Sequence, residues 1–194
     1  MYCLLEGVCS AIKLRVVRYG NMEQLFDFRP CNCENLDKVL GLEAEALAAL
    51  ERPDQLRRNT PAMWRACLQP PHYCLGAWVG EGNPCLIAVA VLYVPSEDDP
   101  EALAPLLQSV DPKGLQAANF KICIVHPGWR GHGLQVTLGQ RLQEEARRRG
   151  IGLLCATASP HNIPSVRSLE RLGYRPDRTL TKYGFERTLF FRFN

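Results

Sequence analysis

Ile122-Cys123-Ile124-Val125-His126-Pro127-Gly128-Trp129-Arg130-Gly131-His132-Gly133-Leu134-Gln135 is the stretch on which the fold of this chain turns. Its apolar start reads as a strand, its proline and glycines as a turn, and Gly133–Arg149 as a helix with Leu134, Leu138, Leu142 and Ala146 on one stripe. A strand that runs through a glycine turn straight into a helix leaves the first-turn N–H groups without intrahelical partners. The helix dipole adds about half a positive charge at that end. Gly131 and Gly133 let the backbone approach a ligand closely, and Arg130, with His132 when protonated, strengthens the field. These are the properties of an anion cradle. The same residues also suit a plain connection whose glycines serve only turn geometry. Other phosphate loops fit worse: G-x-x-x-x-G-K-[ST] is absent, and the third glycine of a dinucleotide fingerprint is missing.

Downstream, Gly150 ends the helix as its C′ residue, and Leu153–Ala158 is an apolar strand without alternation, expected to be covered on both faces. Asn162 to Leu172 reads as a helix between an Asn cap and Gly173. Tyr174–Arg178 and Arg187–Phe193 close the chain as strands, with Thr179–Glu186 as the loop between them and Leu189, Phe191 and Phe193 on one face. Upstream, Phe26–Arg29 is a first strand, Asn35–Leu50 an amphipathic helix, and Thr60-Pro61 the start of a second helix that Pro70-Pro71 ends. Tyr73–Val79 and Cys85–Val94 form a hairpin across Gly80-Glu81-Gly82-Asn83. Residues 95–118 are an inserted acidic loop with Glu97, Asp98, Asp99 and Glu101, followed by a short helix interrupted at Pro105. The order β-α-α-β-β-(insert)-β-α-β-α-β-β predicts an α/β domain with a mixed sheet and helices on its faces.

At 194 residues, with 46% apolar and 22% charged residues, the chain is of single-domain size and ordinary globular composition, which argues against disorder and coiled coil. A net charge of +3 is too small to imply a nucleic-acid partner, and Arg147-Arg148-Arg149 reads as the wet, dipole-favoured end of a helix. No run of about 18 apolar residues predicts a membrane span. The nine cysteines are odd in number and irregularly spaced, so reduced structural thiols, no metal and a cytoplasmic location are expected. Residues 1–21 read as a peripheral N-terminal arm or extra strand, with Met22 an alternative start and 22–194 the domain proper.

Val125-x-Pro127-x-x-Arg130-Gly131-x-Gly133-Leu134, entering an amphipathic helix, resembles the acyl-CoA-binding motif of the GCN5-related N-acetyltransferases (GNAT). Asn162-Ile163-Pro164-Ser165, about 35 residues on, and Leu172-Gly173-Tyr174 resemble the family's second motif. The resemblance covers roughly residues 24–194. It implies a GNAT-like acyl-CoA N-acyltransferase fold, with a central, mostly antiparallel sheet flanked by helices. It implies acetyl-CoA as cosubstrate and direct acetyl transfer to a primary amine of a small molecule or peptide in a ternary complex, with a homodimer left open. By the same resemblance, Cys123, Ile124 and Val125 pair with the pantetheine arm, and Arg130, Gly131, His132, Gly133, Leu134, Gln135 and Val136 hold the pyrophosphate. Asn162 and Ser165 contact the cofactor arm, and Arg167 and Arg171 are either phosphate contacts or solvated charges.

Two positions depart from the family pattern. Gln135 stands where Gly or Ala is usual, which crowds the cradle or adds an amide. Leu169 stands where many members carry the tyrosine that protonates the leaving thiolate, and it has no proton to give. Tyr183 is the candidate acid in its place, with Ser165 and Ser168 as substitutes by type. His126, directly after the cofactor strand and with an ordinary pKa of about 6.5, is the candidate base. Glu43 and Glu45 lie near the family's substrate side, and Trp64 near an acceptor pocket. The two departures also suit an alternative, a weak or inactive acyl-CoA-binding module serving as sensor or interaction domain.

Overall fold

β-Rich, almost wholly apolar runs build the centre of the molecule. The computed structural model describes residues 26–194, so the expectations for residues 1–21 and for Met22 lie outside the described residues. The strands are Asp27–Cys31 (β1), Tyr73–Val79 (β2), Cys85–Tyr93 (β3), Ala117–Val125 (β4), Leu153–Ala158 (β5), Arg175–Lys182 (β6) and Phe185–Phe193 (β7). They form one seven-stranded sheet in the order β1-β2-β3-β4-β5-β7-β6. Every neighbouring pair is antiparallel except β4 and β5. The mixed, mostly antiparallel sheet is therefore as expected.

Successive side chains of β3 alternate between two cores, as strand geometry requires. Val89 and Val91 pack under helices Leu36–Ala48 (α1) and Pro61–Cys67 (α2), against Val39, Leu42, Ala46 and Trp64. Ala88 and Ala90 face helices Leu134–Arg148 (α3) and Ile163–Arg171 (α4), against Leu138, Leu142, Leu169 and Leu172. Each large apolar side chain so withdrawn contributes about 1.5–3 kcal/mol relative to exposure. Thr60 caps α2 by accepting from the Met63 N–H at 3.1 Å, with Pro61 in its first turn.

Two expectations need correction. The helix expected in the insert is one 3-10 turn, Ala104–Leu106, because Pro105 supplies no N–H and Leu107 is extended. Even so, it seats Leu103 and Ala104 on Leu153, Cys155, Leu189 and Phe191. The loop Thr179–Glu186 is mostly strand: Lys182 pairs with Phe185, leaving only Tyr183-Gly184 as the turn. Their φ angles of 59° and 79° are those of a type I′ turn, whose twist matches the two strands. The seven described cysteines are all free thiols.

The parallel pair holds the sheet together only briefly. β4 meets β5 through Ala117–Phe120 and Leu153–Ala156, and residues 121–125 keep β3 on one side with no strand among the described residues on the other. Where they part, Val91 faces Ile122 and Leu92 faces Phe120, so Lys121 is the extra residue of a bulge. α3 crosses back over β3 and β4 and meets the end of α4 at Gly139. A Cβ there would lie 2.9 Å from Leu172 Cδ2 and nearer still to Cδ1. Gln143 Nε2 donates to the Leu172 carbonyl at 2.9 Å on the same seam. Gly139→Ala should therefore lower stability by about 1–3 kcal/mol through overpacking, read as a fall in the urea midpoint at constant m. An unchanged midpoint would refute the close approach of the two helices.

Candidate functional site

The turn after β4 is shaped by residues that hold it rather than by ligand groups. Pro127–Trp129 form a 3-10 turn, and Trp129 is buried with its ring 5.8 Å from Phe26. Gly131 and Gly133 follow at φ 83° and 73°, where a side chain would be strained, and a Cβ on either would meet open space. Gly133 precedes α3 and offers no side-chain cap, so the first turn of α3 is left to whatever lies before it. α4 is different, because Asn162 caps it by accepting from the Ser165 N–H at 3.3 Å. Gln135 Nε2 donates to Ser165 Oγ at 3.2 Å, which draws the side chain across to α4 and ties the two helix starts together.

Between the parting ends of β4 and β5 lies a cavity of about 650 Å³. Of the sequence-predicted residues, 123–125, 130, 131, 133–136, 162 and 165 line it, as do Arg167, Ser168, Leu169, Arg171 and Tyr183. His132 is not among the lining residues; its ring lies 6.0 Å from that of Trp129. Leu169 is 2% exposed and part of the core, so it closes the cavity floor with hydrocarbon. Ser168 Oγ donates to the Pro164 carbonyl at 2.8 Å and is committed to its own helix.

His126 does not line the cavity. Its Nδ1 accepts from the Gly128 N–H at 3.0 Å, and its Nε2 lies 2.9 Å from Glu45 Oε2, so both nitrogens are engaged. Glu43 and Trp64 also bind each other rather than face a ligand. The buried Glu43 carboxylate accepts from Trp64 Nε1 at 2.9 Å, from Asn59 Nδ2 at 2.7 Å and from the Asn59 N–H at 3.0 Å. Three donors around one buried carboxylate form a strut joining α1 to α2.

At the other mouth of the cavity, residues distant in sequence converge. Glu101, from the insert, accepts from Lys121 Nζ at 2.7 Å and Arg57 Nη1 at 3.0 Å, and Tyr183 hydrogen-bonds to it as well. Arg57 stacks 4.1 Å over the Tyr183 ring, and Lys121 lies 3.9 Å from the centre of Tyr93. Burial works against the Glu101 charge, but the bonds from Lys121 and Arg57 outweigh it and hold the carboxyl at about 2. Burial, and then the Glu101 charge, push the Tyr183 phenol above its usual value, so it keeps its proton throughout the physiological range. Burial also lowers Lys121, with the Glu101 bond opposing it. Arg187 of β7 completes this mouth. Sequence reading missed Arg57, Glu101, Lys121 and Arg187. Lys121, a lone charge inside the apolar run Phe120–Val125, was the one local signal available.

The sequence profile of the acetyltransferase (GNAT) family matches residues 43–174. The tRNA(Met) cytidine acetyltransferase TmcA of Aeropyrum pernix is 28% identical over 110 residues, 55% of this chain but only 15% of that protein, so the chain spans about one seventh of that relative. Among solved structures, Arabidopsis thaliana NAA60 in complex with a bisubstrate analogue superposes with a TM-score of 0.68 at 17% identity, over 87% of this chain and 99% of the other. The putative acetyltransferase yncA of Salmonella typhimurium, with its cofactor acetyl-CoA, gives 0.64 at 18% identity, over 87% and 94%. These structures share the overall fold, and the profile match takes in α2, the strand–glycine–helix turn and all of α4. The chain belongs to the acetyltransferase (GNAT) family.

Proposed function

We propose that the chain transfers the acetyl group of acetyl-CoA to a primary amine, by direct attack in a ternary complex. The observation that carries this reading is the cavity between β4 and β5, which runs from the uncapped start of α3 to the polar cluster at the other mouth. The acetyl-CoA-bound Salmonella protein of the same fold supports acetyl-CoA as the donor. The residues present fit that molecule: two left-handed glycines and free helix-end N–H groups suit a pyrophosphate, and an unpaired strand edge suits an amide-bearing arm.

On this reading, the backbone of residues 131–136 holds the pyrophosphate, with Arg130 adding positive field. Residues 123–125 pair with the pantetheine arm and turn N–H groups toward the thioester oxygen. Asn162 and Ser165 border the arm from α4. Acetyl-CoA supplies the activated acyl thioester. Tyr183 holds the proton for the departing sulfur, in the role Leu169 cannot fill, and must release its bond to Glu101 to give it. The amine loses its proton to water. No base is assigned to His126, whose nitrogens are committed to Gly128 and Glu45. Proximity within the closed cavity supplies several kcal/mol of the barrier reduction, so one acid of modest strength suffices.

Two variants test this. Gly133→Val forces a β-branched residue to φ 73°, a strain of about 1–2 kcal/mol, and should weaken acetyl-CoA binding about tenfold by calorimetry. Equal affinity would mean that the cradle is not where the cofactor binds. Tyr183→Phe should lower kcat for CoA release about a hundredfold while leaving acetyl-CoA affinity intact. An unchanged kcat removes Tyr183 from the acid's role, and tight binding of acetyl-CoA without release to any amine refutes transfer itself.

A further inference from the structure

Arg187 is a buried charged side chain at this mouth that makes no hydrogen bond to a carboxylate among the described residues. It stands on β7 opposite Leu180 of β6, two residues before Leu189, and so faces the α1/α2 side of the sheet with the insert. It is 4% exposed, it lines the cavity, and its Nε has no hydrogen-bond partner among the described residues. The Phe185 ring lies 5.5 Å from the guanidinium. The neighbouring carboxylates are occupied elsewhere. Asp54 accepts from Ser159 Oγ at 2.6 Å and Arg52 Nε at 2.9 Å, while Glu101 serves Lys121, Arg57 and Tyr183.

An arginine stays charged when buried, and a buried charge is kept only where something compensates it. Arg57 and Lys121 share Glu101, and Arg52 already holds Asp54, so with Arg187 the cations outnumber these carboxylates and leave a surplus of positive charge. That surplus repels an ammonium, so the incoming amine is favoured in its neutral, nucleophilic form. It also calls for negative charge, and the guanidinium fork of Arg187 is shaped for a carboxylate. The phosphates of the donor have their own site across the sheet, at the start of α3, beside Arg130.

We infer that the acceptor is an amino-acid-like molecule, with a primary amine and a carboxylate, and that Arg187 in the mouth of the cavity grips that carboxylate. This rests on the acetyl-transfer reading above. Arg187 thereby sets acceptor specificity and leaves the chemistry to the wedge.

The test uses the full chain with the twenty common amino acids and their α-carboxamides as paired acceptors, following CoA release from acetyl-CoA. For the best acceptor, kcat/KM should favour the carboxylate over the carboxamide by about ten- to a hundredfold. Arg187→Gln should bring that ratio to about one through the KM of the carboxylate form, and Arg187→Lys, which keeps the charge without the fork, should fall between. Equal use of both forms by the wild type, or a proportionate loss on both in Arg187→Gln, overturns the inference. A second readout is independent of turnover: thermal stabilisation of the CoA-bound chain by N-acetyl amino acids against their carboxamides. If no amine releases CoA, the transfer reading fails. The carboxylate site then stands if only the carboxylates stabilise the wild type and Arg187→Gln abolishes the effect, and it falls otherwise.

Discussion

Everything in this molecule depends on a parallel strand pair that stops early. β4 and β5 hold each other through Ala117–Phe120 and Leu153–Ala156 and then part. Backbone groups in a protein interior need partners, so a central strand with an open edge is costly unless something else lies along it. The bulge at Lys121 bends β4 at the point of separation. The flanking helices keep the opening from closing, because α3 is pinned at Gly139 against Leu172 and α4 is pinned to its own Asn cap. A wedge of this kind is a slot for an extended chain that can act as a strand, with a helix start at one end to take its charge.

The bulge also explains why the acceptor mouth is charged. A lysine inside an apolar strand would be expelled if it had no partner, and Lys121 is held by Glu101 and by the face of Tyr93. Glu101 in turn fixes Arg57 and Tyr183, so the insert, the loop between α1 and α2 and the β6–β7 turn meet on one carboxylate. Glu43 plays the matching structural part on the other side, joining α1 to α2 through Asn59 and Trp64. The two carboxylates differ in use: buried Glu43 is enclosed by donors, whereas the network of half-buried Glu101 borders the cavity.

The half of the cavity at the start of α3 was legible in the sequence because it is local. Strand, glycines, helix and the Asn cap all lie within residues 122–172, and each follows from short-range geometry. Even Gln135, which breaks the family pattern, was visible there, although its bond to Ser165 was not. The opposite mouth was illegible because Arg57, Glu101, Lys121, Tyr183 and Arg187 lie on five segments that only the sheet order brings together. The insert read only as an acidic loop and short helix because nothing in its composition marks the one glutamate that turns inward. The β6–β7 turn was misjudged for a related reason, since a Tyr-Gly pair is not the Asn-Gly signature from which such turns are recognised.

Leu169 gains a meaning from this arrangement. A leucine on α4, packed in the core, removes proton donation from the donor side of the wedge. On the proposed reading, the donor is Tyr183, on the acceptor side, where it shares Glu101 with Arg57. Acceptor recognition at Arg187 and proton delivery from Tyr183 then take place at the same mouth of the cavity. An anion seated at Arg187 also attracts Arg57, and any loosening of Arg57 from Glu101 alters the bond that restrains the Tyr183 phenol. A proton donor placed on α4 would be indifferent to which acceptor had arrived. One placed in the β6–β7 turn is sensitive to it, and this links the identity of the acceptor to the step in which the thiolate leaves.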